Sequence, residues 1–263
     1  MHGQIERFVD ATQATGRYAF DTEELRGTVT LSPEGVRAAL RRLEGRGRIV
    51  RPSARRGIFV IVPPEYRTIG APPSAWWLDA FMRHIERPDY YVGLLTAAEW
   101  HGSAHYAVQE MQVVVSKQLR PVRVGRERIH FVTNSYAART PVESRAFDAG
   151  SVRVSTPEAT AVDVVRYAKL VGGPSRVATV LSGLRLSPRA LSHAVEVAGD
   201  VTAAQRLGFL LEVAGQRAAS RVVARYLETH EHRARPLVPG ASTEDAAIAA
   251  RWDVVVNAPV EVG

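Results

Sequence analysis

Eight arginines, Arg37, Arg41, Arg42, Arg46, Arg48, Arg51, Arg55 and Arg56, fall in one short window, and Glu44 is the only acid among them. Eight positive charges less one negative leave +7, which equals the net charge of the whole 263-residue chain. One segment therefore carries the entire excess, and the remainder balances to zero. A guanidinium is a planar fork of donors that fits paired phosphate oxygens and the O6/N7 edge of guanine. The chemistry that this window is equipped for is polyanion recognition. Lys117 and Lys169 are the only lysines, so arginine supplies nearly all of the positive charge.

The neighbouring segments must hold these arginines on one face. Residues 3–14 place Ile5, Phe8 and Val9 at helical spacing, with Gly16 as a stop. Asp21, with Glu24 three residues on, caps a second short helix that Gly27 is expected to close near Leu25. Ser32-Pro33-Glu34 starts a third helix with a capping serine, a first-turn proline and a first-turn acid. Val36, Ala39, Leu40 and Leu43 then recur at helical spacing, and Gly45 and Gly47 end the run. Arg37 and Arg41 lie about 100° and 140° around the helix from Val36. Two apolar strands follow at 49–51 and 58–62, joined by a tip that carries Arg55 and Arg56 and ends in Gly57, where a positive φ is expected.

Three helices and a hairpin in about 60 residues predict a winged helix-turn-helix. In that arrangement the third helix enters the major groove. Ser32 then sits at the helix start facing DNA, and Arg37 and Arg41 reach guanine edges. Arg42, Arg46 and Arg48 fall on phosphates, and Arg55 and Arg56 on a flanking minor groove or its phosphates. The competing explanation, a solvated charged face, does not account for the charge following this outline and ending at the wing. A membrane surface is disfavoured, because no exposed apolar face opposes the arginines.

Pro63-Pro64 and Gly70-Ala71-Pro72-Pro73 mark a stiff connection. The expected organisation is a DNA-binding domain at 1–64, a linker at 65–73 and a larger mixed α/β domain at 74–263, an α+β chain overall. In the second part, helices are expected at 74–86, 91–101, 156–170, 187–197, 205–214 and 219–227. Strands are expected at 111–115, 122–124, 129–133, 152–154 and 252–256, with a loose polar segment at 230–243.

No catalytic constellation stands out. His101 and His105, with Glu99 nearby, have helical metal-ligand spacing, but Gly102 intervenes and no third ligand presents itself. His230 and His232 sit in the polar segment and read as solvated. A carboxylate nuclease needs a Glu-x-Lys pair, yet Val115 precedes Lys117 and Tyr167 precedes Lys169 at that spacing. Gly102-Ser103 lacks the paired aspartates of a nucleotidyltransferase, and no phosphate loop, dinucleotide fingerprint or nucleophile elbow is present. Asp163 and Asp253 stand alone among apolar residues. The second domain is expected to be non-catalytic, with no cofactor and no metal.

The chain has no cysteine, which removes disulfides and thiolate metal sites. It has neither a signal-peptide pattern at its start nor an apolar run of about 20 residues, so a cytoplasmic protein without membrane attachment is expected.

The sequence resembles the AbiEi-type antitoxins of bacterial toxin–antitoxin and phage-defence operons. The first part is similar through "FDTEELR", "VRAALRRLEGRGRIVR" and "RRGIFVIVP". The second is similar through "PDYYVGLLTAAEWHG", "TPEATAVDVVRY", "QRLGFLLEVAG" and "RWDVVVNAPV". The resemblance implies an antitoxin encoded beside a nucleotidyltransferase-like toxin that it counters directly or indirectly. It also implies autorepression through inverted repeats of double-stranded DNA in the operon's own promoter. Carried over, DNA contact falls on Arg37, Arg41, Arg42, Arg55 and Arg56. A monomer in solution that occupies its operator as two copies is the expected assembly. The alternative is a stand-alone winged-helix regulator whose second domain senses a ligand or a protein.

Overall fold

The computed structural model describes residues 3–52, 57–103 and 108–263; Arg55, Arg56 and His105 lie outside the described residues. The fold is α+β. Chain contacts gather into two compact units. One contains Met1–Tyr91, Gln109–Ser135 and Ser144–Arg153; the other contains Val92–Val108, Tyr136–Glu143 and Val154–Gly263.

Helix α1 (Gln4–Ala14) starts where the Glu6 carboxylate accepts the Gly3 N–H at 3.3 Å. Strand β1 (Ala19–Asp21) is too short to show a period in the sequence and was not expected. Asp21 then caps α2 (Thr22–Thr28), accepting the N–H groups of Glu23 and Glu24 at 2.9 and 2.8 Å. Gly27 does not close this helix. It lies in the last turn, and the Val29 N–H closes on the Leu25 carbonyl at 3.1 Å. An exposed glycine there costs only about 1 kcal/mol relative to alanine, too little to end a helix that is anchored by the buried Leu25.

Helix α3 (Pro33–Gly45) begins with the Ser32 hydroxyl accepting the Gly35 N–H at 3.1 Å, and Gly47 follows it at φ +64°. Strands β2 (Ile49–Val50) and β3 (Ile58–Ile61) pair antiparallel, and β3 also pairs antiparallel with β1, giving the order β1-β3-β2. Ile5, Val9, Leu25, Val36, Leu40, Leu43, Ile49 and Phe59 form one buried cluster inside this ring of elements.

The end of the 65–73 stretch is packed, while Glu65, Arg67, Thr68 and Ile69 are exposed. The Ile69 carbonyl accepts the Arg126 N–H at 3.1 Å, and Ala71 and Pro72 are buried. Gly70 crosses Gly125 so closely that a Cβ on Gly125 would sit 2.6 Å from the Gly70 carbonyl carbon. Residues 74–86 are not one helix. A 3-10 turn at Ser74–Trp76 precedes α4 (Leu78–His84), separated by Trp77 at φ −130°. Residues 91–101 likewise divide, into β4 (Tyr91–Val92) and α5 (Leu94–Trp100). Gly93 is extended and the buried Leu94 is left-handed at φ +54°. That conformation costs a leucine roughly 1–2 kcal/mol and stops the helix from running back into the strand.

Strand β5 (Met111–Val115) pairs parallel with β7 (Glu127–Thr133), and β6 (Val122–Val124) forms the expected hairpin with β7 around Gly125. Strand β8 (Val142–Ala146) was not expected; β9 (Ser151–Ser155) pairs parallel with β4 through Val92 and Val154. The expected helix from 156 to 170 breaks at Tyr167 into α6 (Pro157–Arg166), capped by Thr156, and α7 (Ala168–Val171). An additional helix, α8 (Pro174–Gly183), precedes α9 (Pro188–Ala198), α10 (Val201–Val213) and α11 (Arg217–Glu228).

The segment at 230–243 is not loose. It contains β10 (Arg235–Pro236) and the buried Leu237, and it joins β11 (Ile248–Ala249) and β12 (Val254–Val255) in the order β10-β12-β11. Helix α10 holds this sheet. The buried Gln205 amide donates to the carbonyls of Trp252 and Asp253 at 3.1 and 3.2 Å, and the Trp252 indole N–H donates to Glu212 at 2.6 Å. The Trp252 ring lies against Gly208. Among the described residues, no helix is long and apolar enough to cross a membrane.

A methyl group at Gly208 would come within 2.0 Å of the Trp252 ring. Gly208→Ala should therefore destabilise the chain by about 1–3 kcal/mol, an overpacking cost. Thermal unfolding followed by tryptophan fluorescence should show a midpoint lowered by roughly 2–10 °C.

Candidate nucleic-acid interface

Helix α3 has two faces because its sequence does. Val36, Leu40 and Leu43 are buried, while Arg37, Ala38, Arg41 and Arg42 are exposed on the other side. Ser32 is exposed at the helix start. Its oxygen is occupied in capping, and its O–H remains a donor for an anion.

The arginines divide into two sets. Arg41 and Arg42 have neither an ion pair nor a side-chain hydrogen bond to any of the described residues. Arg37 is bridged to Glu34 one turn back, at 2.5 Å, and stays more than half exposed. The Glu34 carboxyl is held below its ordinary pKa by a backbone hydrogen bond and by Arg37. Arg46 pairs with Glu6 of α1 at 2.9 Å and keeps 68% of its side-chain surface exposed.

Arg48 is committed further. It donates to Asp10 at 2.8 Å and to the Val62 carbonyl at 3.3 Å, and only 17% of its side-chain surface is exposed. Arg51, which sequence reasoning left without a role, forks onto Glu44 at 3.2 Å and lies over the Phe59 ring at 4.8 Å.

Structure therefore brings Ser32, Arg37, Arg41 and Arg42 to one helix. It ties Arg46 and Arg48 back to α1 and Arg51 to the end of α3. The acids Glu6, Asp10 and Glu34 come from outside the charged window, so counting charge within the window could not find them.

The other residues considered for chemistry have partners of their own. His101 Nε2 lies 2.8 Å from the Ser155 carbonyl, so a ring N–H is spent on backbone. Buried Glu158 accepts the Ser187 N–H at 2.7 Å and starts α9, where the Ser187 side chain itself makes no cap. The Tyr167 hydroxyl is pushed up to about 12, by burial first and then by Asp163. Asp253 lies 3.4 Å from His232. Among the described residues, no group of three or more histidine or acidic side chains is placed to hold a metal ion.

Residues 91–213, which run from β4 to α10, match the family model of the AbiEi antitoxin C-terminal domain. Over that stretch the chain is similar to the AbiEi-type antitoxins. Among solved structures it is similar to the RV2827C protein from Mycobacterium tuberculosis. The identity is 17% and the TM-score 0.65, over 94% of this chain and 89% of that one, a likeness of fold. No curated protein matches the chain.

Removing Arg48 should cost about 1 kcal/mol of stability, because Asp10 and the Val62 carbonyl lose their partner at a partly covered site. Arg41→Ala and Arg42→Ala should stay within about 0.5 kcal/mol of the parent. Urea unfolding of the three variants checks both statements.

Proposed function

We propose that residues 1–64 form a winged helix-turn-helix that binds inverted repeats in the promoter of the protein's own toxin–antitoxin operon and represses it. The order α1-β1-α2-α3-β2-β3 and the sheet order β1-β3-β2 support this reading. The observation that carries it is the exposed side of α3, where Arg41 and Arg42 stand unpaired beside Arg37.

With α3 in the major groove, Arg37 and Arg41, one turn apart, reach guanine edges, each good bidentate pair being worth roughly 1–3 kcal/mol of discrimination. Arg42 and the exposed Arg46 take phosphates, as do Arg55 and Arg56 from the wing. Ser32 donates its O–H to a phosphate at the start of α3, where helix N–H groups also favour an anion. Arg48 can add charge near the backbone only by leaving Asp10.

Residues 65–73 connect this module to the antitoxin domain at 74–263. That domain counters a nucleotidyltransferase-like toxin without being an enzyme itself. The protein works in the cytoplasm, where its operator is. An operator with inverted repeats is filled by two copies of a protein that is monomeric in solution.

A gel shift on the upstream DNA tests the reading. Arg37→Ala with Arg41→Ala should abolish the specific shift while the thermal midpoint is unchanged; undiminished binding by the double variant would refute the groove assignment. If six arginines neutralise phosphates, log affinity should fall against log salt with a slope of about −5. Glu34→Gln frees Arg37 from its ion pair and should tighten binding to both operator and non-operator DNA.

A further inference from the structure

A second set of unpaired cations lies far along the chain from the charged window. Helices α9 and α11 pack side by side, and between them runs a groove of about 720 Å³. Arg189 and His193 of α9 line it, with Arg225 and Tyr226 of α11 and His230 just beyond that helix. Arg189 and Arg225 are exposed, and neither has an ion pair or a side-chain hydrogen bond to any of the described residues. The contrast with Arg46, Arg48 and Arg51, each tied to a carboxylate, is direct.

His230 is exposed, as expected for the polar segment, and its ring is also held. Nδ1 lies 2.8 Å from the Tyr226 carbonyl, so Nδ1–H donates there and Nε2 is the free nitrogen. The ring stacks on Tyr226 with centroids 4.0 Å apart and 24° between planes. One π face is thus covered by tyrosine. The residue as a whole is exposed, which leaves surface for a flat partner. Among the described residues that line the groove, Glu196 is the one carboxylate, and the Ser192 hydroxyl donates to it at 3.0 Å.

We infer that this groove binds a nucleoside phosphate group. The guanidinium forks of Arg189 and Arg225 take the phosphate oxygens, the other face of His230 stacks on the heterocycle, and Nε2 stays free to hydrogen-bond. The groove volume falls in the range of small-molecule sites. The same chemistry could come from a free nucleotide or from one nucleotide of a strand. This site is separate from α3, and the promoter reading stands or falls without it.

Calorimetric titration of the full chain in 0.15 M salt tests the inference, with ATP, AMP, adenosine, a 12-nucleotide single-stranded RNA and a 12-base-pair DNA duplex without inverted repeats as probes. ATP should bind, AMP should bind more weakly and adenosine should not bind. Arg189→Ala with Arg225→Ala should weaken ATP at least tenfold, and His230→Ala severalfold, with His230→Phe restoring the stacking part. Arg217→Ala, on α11 but outside the groove lining, should change nothing. ATP binding without competition from the strands assigns a free nucleotide. Strand binding that fails in the double variant, with ATP weak, assigns a nucleotide within a chain. Binding of none of the probes, or binding indifferent to the double variant, overturns the inference. So does a glutamate-rich peptide that binds the groove in place of every phosphate probe. Thermal midpoints of the variants within about 2 °C of the parent, and an unchanged operator shift, confirm that the readout belongs to this groove.

Discussion

Burial of one side of α3 governs the first part of the chain. Val36, Leu40 and Leu43 pack among Ile5, Val9, Leu25, Ile49 and Phe59. Each buried aliphatic side chain contributes roughly 1.5–3 kcal/mol relative to exposure. That packing fixes the rotation of the helix about its axis, so the placement of Arg37, Arg41 and Arg42 on the opposite side is a consequence of it. A one-residue shift in the apolar spacing would turn those guanidiniums toward the core, where an unpaired charge is not tolerated.

Charge density along the sequence and charge presented at the surface are different quantities. Glu6, Asp10, Glu34 and Glu44 each take an arginine of the window. Apart from Arg48, which is largely covered, the paired arginines are well exposed, and their pairs add little stability. Their larger effect is selection: they hold Arg48 and Arg51 against the module that carries them and, among the described residues of the window, leave Arg41 and Arg42 as the unspent donors. An exposed pair such as Arg37–Glu34 is easily exchanged for a phosphate, whereas Arg48 would first have to give up two partners and its cover.

In the later part of the chain the organising element is α10. Its glycine at 208 admits the Trp252 ring, and Gln205 and Glu212 hold the backbone and indole of the returning chain. The small sheet β10-β12-β11 has strands of two residues each, too few to stand alone. It persists because α10 supplies both its packing surface and its hydrogen bonds. The same helix packs against α11, so the stretch that ends in His230 is built on a fixed support.

Sequence alone determined the helix starts at Asp21, Ser32 and Thr156, the two-faced pattern of α3, the β6–β7 hairpin and the α+β class. These are local matters, set by capping chemistry and by the period of apolar residues within one segment. It could not place β1, β8 or β11, because short strands carry too few residues to show a period and form only where another strand offers an edge. It joined β4 to α5 across Leu94, since nothing local announces a left-handed leucine that is held by burial. It also assigned no acidic partner to any of the eight arginines. Only the tertiary structure decided which guanidiniums are tied down, because their acids lie up to 40 residues away in the chain and meet them when α1 packs on α3.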